Sequence, residues 1–250
     1  MDSATWLGTA GIQTALMLGV SFPLALIAAW TSRKWNWRLL LLVASLIALH
    51  DFLVALPRIS YFQHLHWSWQ EALLATAWPL ALAVFTPPSF SLASFGITSP
   101  LKMGWLKPAI VALLLAFAVP VLFFFLGSRK KLDAEGWAYL LIMPGLAEEL
   151  VFRGVFQSLL NRVFGRPWRF ANAQFGWGLI ITAVLFAGAN GLFAIDAHLH
   201  PRVVVYAAIA PLMLSLVAGW IRERTDSVWP CVFGHNLSNM VIPVATLLLR

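Results

Sequence analysis

Long apolar stretches separated by short polar segments dominate the sequence. A helix that crosses the hydrocarbon core of a bilayer needs about 20 predominantly apolar residues. By that measure the pattern predicts eight candidate membrane spans, at about 8–30, 38–56, 71–87, 108–127, 136–160, 173–195, 202–221 and 228–248. We therefore expect an all-α protein that forms a polytopic transmembrane helical bundle of about eight spans.

Two of these spans are irregular. Pro79, Pro87 and Pro88 interrupt or end the third span, because proline lacks the N–H group that a helix interior uses. The fifth span is longer than a bilayer requires and polar in its middle, which predicts a tilted helix or one that continues beyond the membrane. No internal repeat or long linker divides the chain, so we expect a single integral membrane domain over residues 1–250.

Composition supports a membrane environment. Hydrophobic residues make up 60% of the chain and charged residues 11%, whereas soluble domains carry about 25% charged residues. The net charge is +7, but the basic residues lie in short clusters between apolar runs, for example Arg33, Lys34 and Arg38. Such clusters are typical of cytoplasmic loops and of contacts with anionic lipids. We expect a lipid bilayer rather than nucleic acid as partner, and a multi-pass location in a bacterial plasma membrane.

The fifth span carries the most informative charges, in the segment Pro-Gly-Leu-Ala-Glu-Glu-Leu-Val-Phe-Arg-Gly at 144–154. This segment places Glu148, Glu149 and Arg153 within an otherwise apolar helix. A charged side chain at the centre of a membrane costs about 2.5–3.5 kcal/mol on insertion scales. Three unpaired charges that faced lipid would cost roughly 8–10 kcal/mol. These side chains are therefore expected to face the interior of the bundle.

The spacing of these charges separates two roles. Glu149 and Arg153 are i,i+4 neighbours on one helix face and can form an ion pair. Glu148 lies about 100° around the helix from Glu149, so its carboxylate does not take part in this ion pair. Two carboxylates in different environments are what general acid–base chemistry uses. The alternative is an ion pair that only stabilises packing, which leaves Glu148 without a role.

Two further spans carry polar side chains. In the last span His235 and Asn239 are i,i+4 neighbours, and together they can bind water or stabilise an oxyanion. Alone, this pair favours interhelical hydrogen bonding. Asn190 in the sixth span lies among small residues, and that segment alone favours helix packing. Because polar clusters in separate spans tend to share one cavity, we expect the last span to face the carboxylates of the fifth.

Other polar residues have weaker functional signals. His50 and Asp51 lie within the second span, where a proton relay is conceivable but a structural hydrogen bond is the favoured interpretation. Asp196, His198 and His200 have side chains that can bind metals. Solvated residues in an interfacial loop are the favoured interpretation of that cluster.

Three motifs in order carry a family resemblance. They are Glu-Glu-x-x-x-Arg in the fifth span, Phe-x-x-x-(polar) in the sixth and His-x-x-x-Asn in the last. Together they resemble the CAAX prenyl protease and bacteriocin-processing family, also called Abi proteins, whose members are intramembrane endopeptidases. The resemblance covers roughly 136–250, the expected catalytic core. It implies hydrolysis of a peptide bond in a membrane-associated protein or peptide substrate.

The resemblance also implies roles for individual residues. Glu148 would activate the attacking water, and Glu149 and Arg153 would hold the geometry of the motif. His235 and Asn239 would bind that water or stabilise the oxyanion.

The second motif departs from the family pattern. Phe186 matches its aromatic residue, but Asn190 stands where the family usually has histidine. Asparagine can position water but cannot accept a proton at neutral pH. A zinc site needs about three protein ligands, and here Glu148 and His235 are the main candidates, with Glu149 the remaining one. We therefore expect a glutamate-type protease without a cofactor, with a zinc metalloendopeptidase as the alternative mechanism.

A non-catalytic function is the second hypothesis. Intramembrane Glu, Arg, His and Asn also serve ion and proton pathways, so a membrane transporter or binding protein on the same scaffold stays open. The asparagine at position 190 is the feature that favours it.

Overall fold

Helices form most of the computed structural model, which describes residues 3–99, 110, 132–196 and 198–248. The α-helices in these ranges are α1 (Ser3–Ser32), α2 (Trp37–Ala55), α3 (Trp69–Phe85), α4 (Ala134–Glu149), α5 (Gln157–Phe164), α6 (Trp177–Ala187), α7 (Val205–Thr225) and α8 (Trp229–Leu248). Two π-helical segments, Leu150–Phe156 and Gly188–Leu192, follow α4 and α6. Two short 3-10 helices cover Phe62–His64 and Pro88–Phe90.

Two small antiparallel hairpins accompany the helices. They pair β1 (Trp168–Phe170) with β2 (Ala173–Phe175), and β3 (Phe193–Ile195) with β4 (Pro201–Val203). The first corrects the predicted start of the sixth span at 173. Ala171 and Asn172 both have positive φ, 45° and 64°, as in the two-residue turns that match the twist of paired strands. The chain therefore pairs before the helix begins at Trp177.

Four of the described helices are long and apolar enough to cross a membrane. They are Thr5–Ser32, Trp37–Ala55, Val205–Thr225 and Trp229–Leu248. Their outer faces carry large apolar side chains such as Phe22, Leu41, Ile209 and Leu247, each more than half exposed. A bilayer would cover this surface.

The expectation of an all-α membrane bundle is confirmed in this form, but the count of about eight spans stays a prediction. The predicted span at 108–127 lies outside the described residues, apart from Ile110. The third and sixth candidates correspond to shorter helices, α3 with 17 residues and the apolar helix Trp177–Leu192.

The fifth span is a long continuous helical element, as expected from its length. Asp133 begins it by accepting a hydrogen bond from the Gly136 backbone at 2.7 Å, a standard helix N-cap. α4 continues through Leu150–Phe156 into α5, and Gly165 with φ of 77° follows its end. All seven residues of the π-helical segment are buried. Segments of this type occur frequently at functional sites, because the wider turn redirects side chains.

This long element lies in the core of the bundle. α4 packs against α3 and α8, α5 packs against α6, and α6 packs against α7. Val151, Phe152, Val155 and Phe156 have at most 1% of their surface exposed and join the main hydrophobic cluster. The charged residues of the predicted site are therefore held at the centre of the helix packing.

Candidate functional site

Glu149 and Arg153 form the predicted ion pair in the core. Both side chains are 1% exposed, and Arg153 Nε lies 3.0 Å from Glu149 Oε2, although the two groups are not aligned as a hydrogen bond. His235 Nδ1 lies 2.8 Å from Glu149 Oε1. An ionised carboxylate only accepts hydrogen bonds, so Nδ1 carries the proton and Nε2 is the ring nitrogen left for other partners. Glu149 thus contacts a residue on its own helix and one on α8.

Phe186 contacts both partners of Glu149. The guanidinium carbon of Arg153 lies 4.6 Å from the centre of the Phe186 ring, within the range of a cation–π contact. The same ring meets Phe152 edge-on at 5.2 Å and His235 at 5.9 Å. The sequence motif includes Phe186 but gives it no role. In the structure it limits the movement of the Arg153 and His235 side chains.

Glu148 has a different environment from its neighbour. It is half-buried, and Asn190 Nδ2 donates a hydrogen bond of 3.2 Å to Glu148 Oε2. The same amide nitrogen contacts the Phe186 carbonyl oxygen at 3.2 Å. Asn190 therefore contacts the Glu148 carboxylate directly, and its role is not limited to helix packing in the sixth span.

One cavity of about 250 Å³ brings the predicted residues together. Its lining includes all six predicted site residues: Glu148, Glu149, Arg153, Asn190, His235 and Asn239. The opposite wall is apolar and comes from α7, with Leu214, Val217 and Ile221 among its residues. Asn239 is half-buried at this cavity, and within the described ranges no hydrogen bond joins it to another site residue.

A residue that sequence reasoning missed connects α8 to α4. Pro144 lies inside α4 and disturbs its backbone hydrogen bonds, because it lacks an N–H and its ring crowds the preceding turn. Asn236 Oδ1 accepts a hydrogen bond of 2.7 Å from the Gly145 backbone, and its Nδ2 donates to the Ile142 carbonyl at 3.1 Å. The available signal was a proline little more than one turn before the polar pair Glu148 and Glu149, which predicts backbone groups in need of a partner.

A second buried network supports the α7 wall of the cavity. Glu223 on α7 is 2% exposed and accepts hydrogen bonds from Gln157 Nε2 at 2.7 Å and Asn161 Nδ2 at 2.5 Å on α5. Arg166 Nε lies 2.6 Å from its other oxygen. This carboxylate therefore joins α5, at the end of the long helical element, to the α7 wall of the cavity.

Comparison with known proteins agrees with this arrangement. Residues 130–241 match the family model described as Type II CAAX prenyl endopeptidase Rce1-like. This part of the chain is similar to that family, and we refer to it as the Rce1-like region. The matched region spans just under half of the chain and contains every predicted site residue, which confirms the family resemblance. No match was found among curated proteins or among solved structures.

The Rce1-like region and the apolar helices together identify an integral membrane protein. They support a protease that acts on a peptide substrate at the membrane.

Outside the Rce1-like region, His50 and Asp51 each make a hydrogen bond to a neighbouring helix. Asp51 Oδ2 accepts from Thr14 Oγ1 at 2.8 Å. Trp78 Nε1 donates to His50 Nδ1 at 3.4 Å.

The Asp196 cluster in the Rce1-like region is a loop structure. Asp196 Oδ1 accepts hydrogen bonds of 2.9 Å from the backbones of His198 and His200. The bond from the His200 backbone is the main reason that the pKa of Asp196 is below its ordinary value. These contacts agree with the interfacial-loop interpretation.

The described residues offer one group of three metal-ligand atoms within 4.8 Å of one another, formed by His66, Asp133 and Glu135. It lies at the start of α4, apart from the residues that line the 250 Å³ cavity. The Glu135 carboxylate already accepts hydrogen bonds from the backbones of His66 and Trp67 and from the Trp69 indole. We assign this group to holding the preceding loop against α4.

Proposed function

We propose that this protein is an intramembrane endopeptidase in which Glu148 activates a water molecule. One observation carries the proposal. Of two adjacent carboxylates, Glu149 is occupied by Arg153 and His235. Glu148 faces the cavity, with the Asn190 amide as its hydrogen-bond partner among the described residues. A carboxylate that orients the site and a second one open to substrate are suited to separate tasks.

Each step of the proposed reaction has a residue in this cavity. Water binds between Glu148 and His235 Nε2, and Glu148 takes its proton as the oxygen attacks the scissile carbonyl carbon. The side-chain amide of Asn239, which makes no hydrogen bond to another site residue within the described ranges, is suited to donate a hydrogen bond to the oxyanion that forms. Glu148 then returns the proton to the amide nitrogen, and the C–N bond breaks to give a carboxylic acid and an amine.

The remaining residues act as positioning groups. Glu149 accepts from His235 Nδ1 at 2.8 Å, which directs Nε2 away from Glu149. Arg153 supports that carboxylate from the other side at 3.0 Å. Asn190 cannot take up a proton, so in this account it orients Glu148 and the water rather than acting as a base.

The donor set favours a reaction without metal. A catalytic zinc ion needs about three protein ligands plus water. Among the described residues that line this cavity, Glu148 and His235 are the main candidates, and an asparagine amide is a poor replacement for the family histidine. The Cys231 thiol also lines the cavity, but it donates to the Ala218 carbonyl at 3.2 Å. Glu149, the third candidate, is occupied by Arg153 and His235. Zinc remains the alternative mechanism that the experiment below separates.

The test is a cleavage assay in native-like membranes with a library of membrane-anchored peptides and mass-spectrometric detection. It compares the wild type with Glu148→Gln, which keeps the shape and removes the base. Asp226→Asn is a matched control, because it removes a carboxylate outside the cavity. We expect cleavage by the wild type and the control, loss of cleavage in Glu148→Gln, and resistance to a zinc chelator.

Other outcomes assign the function differently. Unchanged cleavage by Glu148→Gln would remove Glu148 from the mechanism. Cleavage that a chelator abolishes and zinc restores would establish the metalloendopeptidase. Absence of cleavage across the library, combined with Glu148-dependent solute flux, would support the non-catalytic transporter.

A further inference from the structure

A second cavity, of about 390 Å³, adjoins the catalytic one. Glu148 and Asn190 line both cavities, and α1, α2, α3 and α4 supply most of the second. The proposed base is therefore accessible from two cavities. A peptide bound across Glu148 would place different side chains in each.

Polar side chains from the first three helices line the second cavity. Thr9 and Gln13 come from α1, His50 and Asp51 from α2, and Glu71 from α3. None of these positions lies in the Rce1-like region. The part of the chain without a family match thus supplies a polar wall next to the proposed base.

Asp51 is the unusual member of this wall. The residue is 3% exposed and lies within a membrane-spanning helix. Thr14 donates to its Oδ2 at 2.8 Å, and no hydrogen bond to Oδ1 is made by any residue that the structure describes. A carboxylate inside a membrane is costly and usually marks a functional site. The single hydrogen bond from the Thr14 hydroxyl offsets only a small part of the cost of burying that charge.

The neighbouring groups do not neutralise Asp51. Glu71 is an acid whose own partner is Arg58, with Arg58 Nε 3.0 Å from Glu71 Oε1. His50 accepts the Trp78 indole N–H at Nδ1, and an imidazole that accepts a hydrogen bond is uncharged. Among the described residues of this cavity, Asp51 and Glu148 are therefore the carboxylates without a cationic partner at hydrogen-bond distance.

We propose that the second cavity binds a Lys or Arg side chain of the substrate, close to the scissile bond, with Asp51 as its anionic partner. The substrate cation would place a positive charge beside the desolvated Asp51 carboxylate, where the described residues of the protein place none. The inference rests on the proposed function for the peptide nature of the ligand. It adds a preference for a cationic residue on one side of Glu148.

The test measures peptide binding, so that it does not depend on cleavage. The full chain carrying Glu148→Gln is placed in lipid nanodiscs, where peptides stay intact. The probes are acylated, fluorescent hexapeptides with one Lys scanned along the sequence, each paired with the same peptide containing acetyl-lysine. Fluorescence anisotropy gives the affinity of each member of a pair. Asp51→Asn and the charge-preserving Asp51→Glu are compared in this background.

We expect the lysine form to bind about tenfold more tightly at one or two positions, a difference of about 1.4 kcal/mol. Asp51→Asn should abolish that preference, and Asp51→Glu should retain much of it. A preference that persists in correctly folded Asp51→Asn, or no preference at any position, would overturn the proposal.

A second measurement needs no substitution of Asp51. A membrane-permeant carbodiimide labels intramembrane carboxylates, and the modified residue is found by mass spectrometry. The lysine peptide should protect Asp51 from labelling and the acetyl-lysine peptide should not, while equal protection would refute the assignment.

The two proposals fail in different ways. Asp51-dependent binding without cleavage by the wild type would refute the protease and keep the cationic site. Cleavage by the wild type at a rate that does not depend on lysine in the peptide would support the protease and refute the cationic site.

Discussion

Neutralising each of the two adjacent glutamates separately should affect stability very differently. Glu149→Gln keeps the size of the side chain and removes its charge. The Arg153 guanidinium is then left in the core with 1% of its surface exposed, and its contact with Glu149 Oε2 at 3.0 Å no longer joins opposite charges. Glu148→Gln makes the same chemical change at a half-buried position where Asn190 donates at 3.2 Å.

The expected magnitudes follow from these environments. Removing one partner of a buried ion pair costs about 3–5 kcal/mol, because the other charge stays buried without compensation. That is a large share of a total stability of about 5–15 kcal/mol. At position 148 glutamine still accepts the hydrogen bond from Asn190, so the change should stay within about 1 kcal/mol.

The assay is the free energy of unfolding in mixed micelles, followed by circular dichroism during denaturant titration. The double variant Glu149→Gln/Arg153→Met is the control, since it also removes the stranded cation and should recover much of the lost stability. A Glu149→Gln protein as stable as the wild type would refute this account of the ion pair. So would an equal loss in Glu148→Gln.

Three further outcomes are expected. Gly145→Ala should lower the free energy of unfolding by about 1–3 kcal/mol, because the new Cβ would lie 2.5 Å from the Val232 carbonyl oxygen; an unchanged value in the same titration would show that α4 and α8 separate without cost. Asn190→Ala should lower the single-turnover cleavage rate about tenfold by removing the donor to Glu148, and an undiminished rate would assign Asn190 to packing alone. The pKa of Asp196 is lower in the folded chain than its ordinary value, mainly through the His200 backbone bond; the stabilisation is therefore present above the ordinary pKa and is lost as pH falls through the folded pKa. The hydrogen-exchange protection factors of the β3–β4 loop amides, corrected for intrinsic exchange at each pH, should fall over that acidic range in the wild type but not in Asp196→Asn.

Local spacing was sufficient to predict one half of the site. The i,i+4 relation of Glu149 and Arg153 depends only on helix geometry, and the structure contains that pair. The cost of charges in a membrane likewise predicted that Glu148 and His235 face a common cavity. The first inference requires the geometry of a single helix, and the second requires only the rule that polar groups avoid lipid.

Hydrogen-bond partners on different helices could not be predicted from local spacing. The sequence does not specify that His235 contacts Glu149 rather than Glu148, because that depends on the rotation of α8 against α4. Asn236 was missed for the same reason, since its hydrogen bond to Gly145 spans two helices. The role of Asp51 depends on a cavity formed by four helices, which no local pattern reports. The β1–β2 hairpin was missed because the predicted sixth span began at 173, within β2, whereas the turn at Ala171 and Asn172 pairs that strand with β1.

Single-turnover cleavage of one identified peptide, by the wild type and Glu148→Gln in nanodiscs, tests the central claim most directly. Our account predicts that the rate falls by about 10²–10⁴, while peptide binding and the free energy of unfolding stay close to those of the wild type. A Glu148→Gln rate within about threefold of the wild type, a difference of under 1 kcal/mol in the barrier, would contradict the claim that Glu148 activates the attacking water.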